Sequence, residues 1–172
     1  MHLDGRVYFI MVSYPIPTVY TLECHEPGLL WWDFAQQVGP EELKASFRWD
    51  TPPPAARAHE YVWRVFDVEH QRWHVGWFSI RHHPCDMTIG YLIRGVFPDS
   101  RRKGYRVAIG EVAAKQAVMM GVKYLIIEIA ETNVEHLRRH SREFSDGGPW
   151  IYSGCVWHPE PKTHLFTRLL GQ

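Results

Sequence analysis

The stretch from Met87 to Ala130 limits the possible folds more than any other part of the chain. Met87 to Phe97 alternates like a strand, with Met87, Ile89, Tyr91 and Ile93 on one face and Leu92, Arg94 and Val96 on the other. Gly104 to Met120 reads as a helix whose inward face is Tyr105, Ala108, Ile109, Val112, Ala113, Gln116 and Met119, with Glu111 and Lys115 as an outward i,i+4 pair. Gly121 supplies the usual stop. Tyr124 to Ala130 is short and almost wholly apolar, the pattern of a strand buried on both faces. Strand, helix and strand in that order imply a right-handed crossover between parallel neighbours.

The flanking segments add antiparallel elements. Tyr61 to Val68 and Trp73 to Ile80 are β-branched and aromatic, and Glu69 to Arg72 turns one into the other. His82 to Asp86 makes a second turn into the strand at 87–97. Upstream of the proline run at 52–54, Gly5 to Ser13 reads as a strand and Leu29 to Phe47 as helical, broken in two by Gly39-Pro40. Downstream, Asn133 to Phe144 reads as a helix, Asp146 to Pro149 as a turn, and Trp150 to His158 with Thr163 to Leu170 as a closing antiparallel pair. Residues 1–172 are expected to form one α/β domain (α+β in some schemes). Its sheet is mixed, mostly antiparallel and twisted, with one parallel crossover and helices on both faces.

Composition bounds the partners. Eight Trp, eight Tyr and eight Phe in 172 residues exclude disorder as the main state. No apolar run reaches the roughly 18 residues needed to span a bilayer, and the N-terminus lacks the pattern of a signal peptide. The expectation is a cytoplasmic protein with no membrane partner. Cys24, Cys85 and Cys155 are widely spaced and odd in number, which fits free thiols rather than a disulfide framework or a zinc site. Nineteen basic and nineteen acidic residues cancel, so nucleic acid is a poor partner. Residues 1–86 nevertheless carry 7 basic and 11 acidic side chains, net −4, against 12 and 8, net +4, in 87–172.

Much of that positive charge sits at one place. Val96-Phe97-Pro98-Asp99-Ser100-Arg101-Arg102-Lys103-Gly104-Tyr105-Arg106 joins a strand to the start of the clearest helix. A helix start offers unpaired amide N–H groups and the positive end of the macrodipole, Gly104 lets a ligand approach the backbone, and the flanking Arg and Lys add charge-assisted hydrogen bonds. The pattern suits a phosphate, although the Walker spacing is absent. A solvated basic loop is the plain alternative.

This loop resembles the acyl-CoA signature of the Gcn5-related N-acetyltransferases, in which a strand ending near Val-x-Pro leads into [Arg/Gln]-x-x-Gly-x-[Gly/Ala]. Arg101 and Gly104 fit the pattern, Val96 and Pro98 stand where the strand should end, and the order of elements agrees over about residues 5–170. The resemblance implies acetyl-CoA as co-substrate. Backbone groups near Val96 and Phe97 would align the pantetheine arm, and Arg101, Arg102, Lys103, Gly104, Tyr105 and Arg106 would hold the pyrophosphate. Asn133 stands just after the next strand, where the family often has Asn. Arg106 replaces the second small residue, His140 stands near the place of the family's Tyr acid, and the strand 87–97 lacks the carboxylate many members use as base.

Glu128 interrupts an apolar strand, and a buried carboxylate there would titrate high enough to act as a base; pairing with an Arg is the structural alternative. His82, His83, Cys85 and Asp86 are metal-ligand types in one turn, but adjacent histidines seldom converge on one ion, so no metal site is assigned. His70 and His74 read as surface residues beside a turn. Trp31-Trp32 reads as a core or interface pair, with the wall of an acceptor pocket as its functional alternative. The function expected from the resemblance is N-acyl transfer to a small-molecule or protein amine by direct attack, with Glu128 as base and His140 as acid. The alternative is a non-catalytic subunit of a virion or other particle that keeps the fold. Its exposed aromatics would drive homo-oligomers or larger assemblies.

Overall fold

The computed structural model describes residues 16–47, 60–69, 73–134, 136–138, 148–158 and 160–171. The elements are β1 (Val19–Glu23), α1 (Pro27–Ala35), α2 (Pro40–Phe47), β2 (Glu60–Asp67), β3 (His74–His83), β4 (Asp86–Val96), α3 (Tyr105–Met119), β5 (Tyr124–Ala130), β6 (Trp150–Val156) and β7 (Thr163–Leu169). A 3-10 turn at Pro98–Ser100 links β4 to the loop before α3. After β5, residues 134 and 136–138 are helical. The rest of the helix expected to Phe144, and the strand expected at 5–13, lie outside the described residues.

Seven described strands form one sheet in the order β1-β2-β3-β4-β5-β7-β6. Every neighbouring pair is antiparallel except β4 and β5, which run parallel with α3 crossing between them. The expected architecture stands, and the Gly39-Pro40 break between α1 and α2 falls where the sequence puts it. β1 is an addition. Val19-Tyr20-Thr21-Leu22 has the composition of a strand but follows Pro15 and Pro17 and carries no buried face, as suits an edge.

Strand alternation sorts the interior into two layers. Trp63, Phe78, Ile80, Leu92, Leu125 and Ile127 face α3, whereas Val62, Trp77 and Ile93 pack with Leu30, Trp31 and Phe34 of α1 and with Phe97. α3 approaches the sheet through small residues, since Ala108, Gly110, Ala113, Ala114 and Ala117 are all buried beside Tyr105 and Ile109. Three sequence expectations fail here. Met119 is 80% exposed, because the buried stripe follows 105, 109, 113 and 117 and has rotated past it. Glu111 is turned to the sheet, where Arg168 of β7 binds its carboxylate with both Nη atoms, at 2.9 and 3.2 Å. β5 is also buried on one face only. Leu125, Ile127 and Ile129 are buried while Ile126, Glu128 and Ala130 are half-buried.

Glycines in β3 and β4 set how closely the layers meet. A Cβ on Gly95 would stand 2.4 Å from the indole Nε1 of the fully buried Trp77, which lies directly across on β3. The Trp77 ring therefore occupies the volume that any side chain at 95 would need. Gly95→Ala is expected to cost about 1–3 kcal/mol through overpacking, read as a lower midpoint in denaturant at unchanged slope.

Candidate functional site

The parallel ladder between β4 and β5 is short. It joins Ile89, Gly90 and Tyr91 to Tyr124, Leu125 and Ile126, and the strands then run on to Val96 and Ala130 with no further pairing between them. Beyond that point the facing edges, from Leu92 on one side and Ile127 on the other, carry no ladder pairing with each other. At its top β4 passes into the cationic loop.

The loop has an ordered backbone. The amides of Ser100 and Arg101 donate to the carbonyls of Phe97 and Pro98 at 2.9 and 3.2 Å, closing the 3-10 turn over the buried Ser100. Arg102 follows with φ 62° and Gly104 with φ 84°, both left-handed. Such a conformation is cheap for Gly and costs a residue like Arg on the order of 1 kcal/mol. Left-handed residues set among ordinary ones turn successive amides toward one concave side, an arrangement that suits anions. The ladder of α3 begins with the Ala108 N–H donating to the Gly104 carbonyl at 3.2 Å, so the amides of residues 105–107 precede it.

The side chains of the loop divide their tasks. The Arg101 Nε donates to the Val96 carbonyl at 3.1 Å while its Nη atoms bind the Glu42 carboxylate of α2. This arginine ties the loop to the neighbouring layer and stays half-buried. Tyr105 points into the core, where its hydroxyl donates to Asp67 Oδ2 at the end of β2. Burial, with that bond and the Asp67 charge, pushes its pKa up to about 12. Arg102 and Lys103 are the exposed cations. Lys103 Nζ donates to the Asp99 carbonyl at 3.0 Å and sits 4.5 Å from the ring centre of Trp73. Arg106 is half-buried, and its carbonyl accepts from Nη1 of Arg94 on β4 at 3.0 Å. Val96 and Phe97 spend their nearest backbone groups internally: the Phe97 amide donates to Val75 at 2.9 Å, and its buried ring packs on Phe34.

Glu128 lies on β5 two residues beyond the last pair of the ladder, on the sheet face opposite Leu125, Ile127 and Ile129. It is half-buried and stands beside Leu165 of β7. Asn133 caps the helical turn after β5, its Oδ1 accepting from the His136 amide at 3.3 Å. His140 lies outside the described residues.

No family model matches the sequence, and no curated protein matches it. Solved structures do. The apo form of RimL, an α-N-acetyltransferase of ribosomal protein L7/L12, superposes with a TM-score of 0.63 at 13% identity, covering 91% of this chain and 93% of its own. A protein from Desulfovibrio desulfuricans assigned to the GNAT family of acetyltransferases gives 0.62 at 11%, covering 90% and 100%. The spermidine/spermine N-acetyltransferase SpeG from Vibrio cholerae gives 0.59 at 10%, covering 88% and 92%. The chain has the GNAT fold. In this chain the end of the β4–β5 ladder, the loop 98–106 and the start of α3 follow one another at the C-terminal end of β4.

Other sequence candidates resolve into local structure. His82 Nδ1 stands 3.0 Å from the Met87 carbonyl, His83 Nδ1 accepts from the Cys85 amide at 3.0 Å, and Asp86 accepts from the Thr88 amide and hydroxyl at 2.9 and 2.6 Å. The bonds from Thr88 hold the exposed Asp86 carboxyl below the usual carboxylate range. Trp31 is buried against the sheet and Trp32 is 54% exposed. Several contacts of the site have no sequence signal, since Glu42, Asp67, Trp73 and Arg94 reach the loop only through the fold.

His74 is not the surface residue its place beside a turn suggests. Its ring lies between Phe66 and Phe97, at 5.0 and 4.5 Å between ring centres, with a buried Nε2 that has no hydrogen-bond partner among the described residues. Burial, and secondarily the Arg64 guanidinium, lowers its pKa from 6.5 to about 4. Between those two values the unfolded chain binds a proton that the folded chain refuses, so stability falls as pH drops through that window. The expected loss is about 2 kcal/mol after discounting for partial exposure. Melting temperature against pH measures it, and His74→Phe should flatten the slope.

Proposed function

We propose that this chain is an acyl-CoA-dependent N-acyltransferase, with acetyl-CoA as co-substrate and an amine as acceptor. The observation that carries the reading is the coincidence of two features: a parallel pair whose ladder ends after three residue pairs, and a loop with two left-handed residues opening α3 beyond that end. The amides at the start of α3, with the exposed Arg102 and Lys103, receive the pyrophosphate, and the concave backbone at Arg102 and Gly104 admits it closely. Arg101 supports this turn from behind through Glu42 and Val96. The edge of β4 from Leu92 to Gly95 offers main-chain groups along which the thioester arm is aligned and its carbonyl polarised.

The chemistry is direct transfer. The amine nitrogen attacks the thioester carbonyl carbon, the C–N bond forms and the C–S bond breaks. Glu128, directly or through water, takes the proton that the nitrogen loses. The departing thiolate takes a proton from solvent or from His140. RimL and SpeG, by their names, act on a protein α-amine and on polyamines, which supports an amine as acceptor here. No helix among the described residues is long and apolar enough to cross a membrane, and a cytoplasmic location fits three unpaired thiols.

A second reading, a non-catalytic assembly subunit, draws on the edge strand β6 and the turn after it, where Ile151, Tyr152, Val156 and Trp157 are 44 to 62% exposed. Calorimetry with acetyl-CoA separates the two, because only the enzyme reading requires binding. The double reversal Arg102→Glu/Lys103→Glu is expected to weaken that binding at least tenfold, about 1.4 kcal/mol, with the melting temperature nearly unchanged. Glu128→Gln is expected to keep the affinity and lower the rate at which free thiol is released in the presence of acceptor amines. Absence of acetyl-CoA binding by the wild-type chain would refute the proposal.

A further inference from the structure

Arg94 is the one guanidinium of β4, and it does not point to solvent as a strand cation usually does. Its Nη1 donates to the Arg106 carbonyl at 3.0 Å, within the first turn of α3. In an α-helix that carbonyl already serves the amide four residues on, at Gly110, so Arg94 adds a second bond to it. Gly110 is where the guanidinium lies. A Cβ on this buried glycine would stand 2.6 Å from Nη1, so the position admits Arg94 only while it has no side chain. Charge sharpens the point. Nearby Glu111 is committed to Arg168, which by hydrogen bonding holds its carboxyl below the usual range, with Arg94 a weaker contributor. The Arg94 contact itself lies in the first turn of α3, at the positive end of the helix, where an anion is favoured.

We infer that Arg94 is a positioning residue for phosphate recognition: it clamps the first turn of α3 to β4, so that the amides receiving the pyrophosphate and the strand aligning the thioester keep a fixed relation. This rests on the acyl-CoA reading and adds to it a residue outside the signature. Its mark is selectivity. The clamp matters for a ligand that engages strand and helix start together, and not for one that lacks the pyrophosphate.

The experiment compares acetyl-CoA with S-acetylpantetheine, which carries the same thioester without the pyrophosphate, in binding and in KM and kcat. Arg94→Met should raise the dissociation constant and KM for acetyl-CoA at least tenfold, leave kcat within about threefold, and change both values for S-acetylpantetheine by less than twofold. Arg94→Lys, which keeps one donor and the charge, should recover part of the loss. Gly110→Ala provides an independent arm. Alanine within a helix ordinarily stabilises it, yet here it should lower the melting temperature and weaken acetyl-CoA, and in the Arg94→Met background it should raise the melting temperature instead. Equal losses for both thioesters, or unchanged acetyl-CoA binding in Arg94→Met, would overturn the inference while leaving the acyltransferase reading intact. Failure of the wild-type chain to bind acetyl-CoA would remove both. A Gly110→Ala chain that is stabilised in both backgrounds would show that the clamp does not hold in solution.

Discussion

A pair of parallel strands that stops pairing after Tyr91 and Ile126 leaves polar backbone on two facing edges, and such groups must find partners. The architecture around the site answers to that requirement. β7 takes the far edge of β5 along its whole length, from Tyr124 to Ala130. β3 does the same for β4, from Gly76 to His83. The Val96 carbonyl, at the C-terminal end of β4, is served by a side chain, Arg101, in place of a strand. What remains along β4 is an unladdered edge held by layers on both sides.

The loop above that edge is anchored on three sides. Arg101 reaches α2 through Glu42, Tyr105 reaches the end of β2 through Asp67, and Arg94 reaches back from β4 to the Arg106 carbonyl. None of these anchors uses the side chains of Arg102 and Lys103, the exposed cations to which the proposed function assigns the pyrophosphate. Preorganisation of this kind places the ordering entropy in the folding of the protein, where it no longer weakens binding.

Much of the fold could be read from periodicity. The alternation of 87–97, the helical spacing after Gly104 and the apolar run at 124–130 specify a crossover, and loop-length rules supply its hand. Those patterns report local burial and little else. They placed Met119 inward because a stripe of period 3.6 admits several phases, and the small residues Gly110, Ala114 and Ala117, which touch the sheet, look neutral in a hydropathy pattern. For the candidate site, the place of the loop was legible, because it concentrates charge and glycine before a helix. The actual task of Arg101 was not, since its partner Glu42 belongs to another layer and a long-range ion pair leaves no trace in spacing. His74 misleads for the same reason: a histidine beside a turn looks wet until Phe97, far along the chain, is folded over it. In β5 burial alternates by face, Leu125, Ile127 and Ile129 being buried while Ile126, Glu128 and Ala130 are half-buried, a difference that an almost wholly apolar run conceals.

Lys103 rests on the indole of Trp73, one element away from the loop it belongs to. An ammonium held against an indole perturbs the excited state of the ring, so the loop carries its own optical label. Trp73 shares the molecule with seven other tryptophans, of which Trp31, Trp63, Trp77 and Trp150 are locked in the core and insensitive to solvent. If the proposed anion drew Lys103 off the ring, the emission of Trp73 would change, and occupancy of this turn could be followed in the unlabelled protein, in real time.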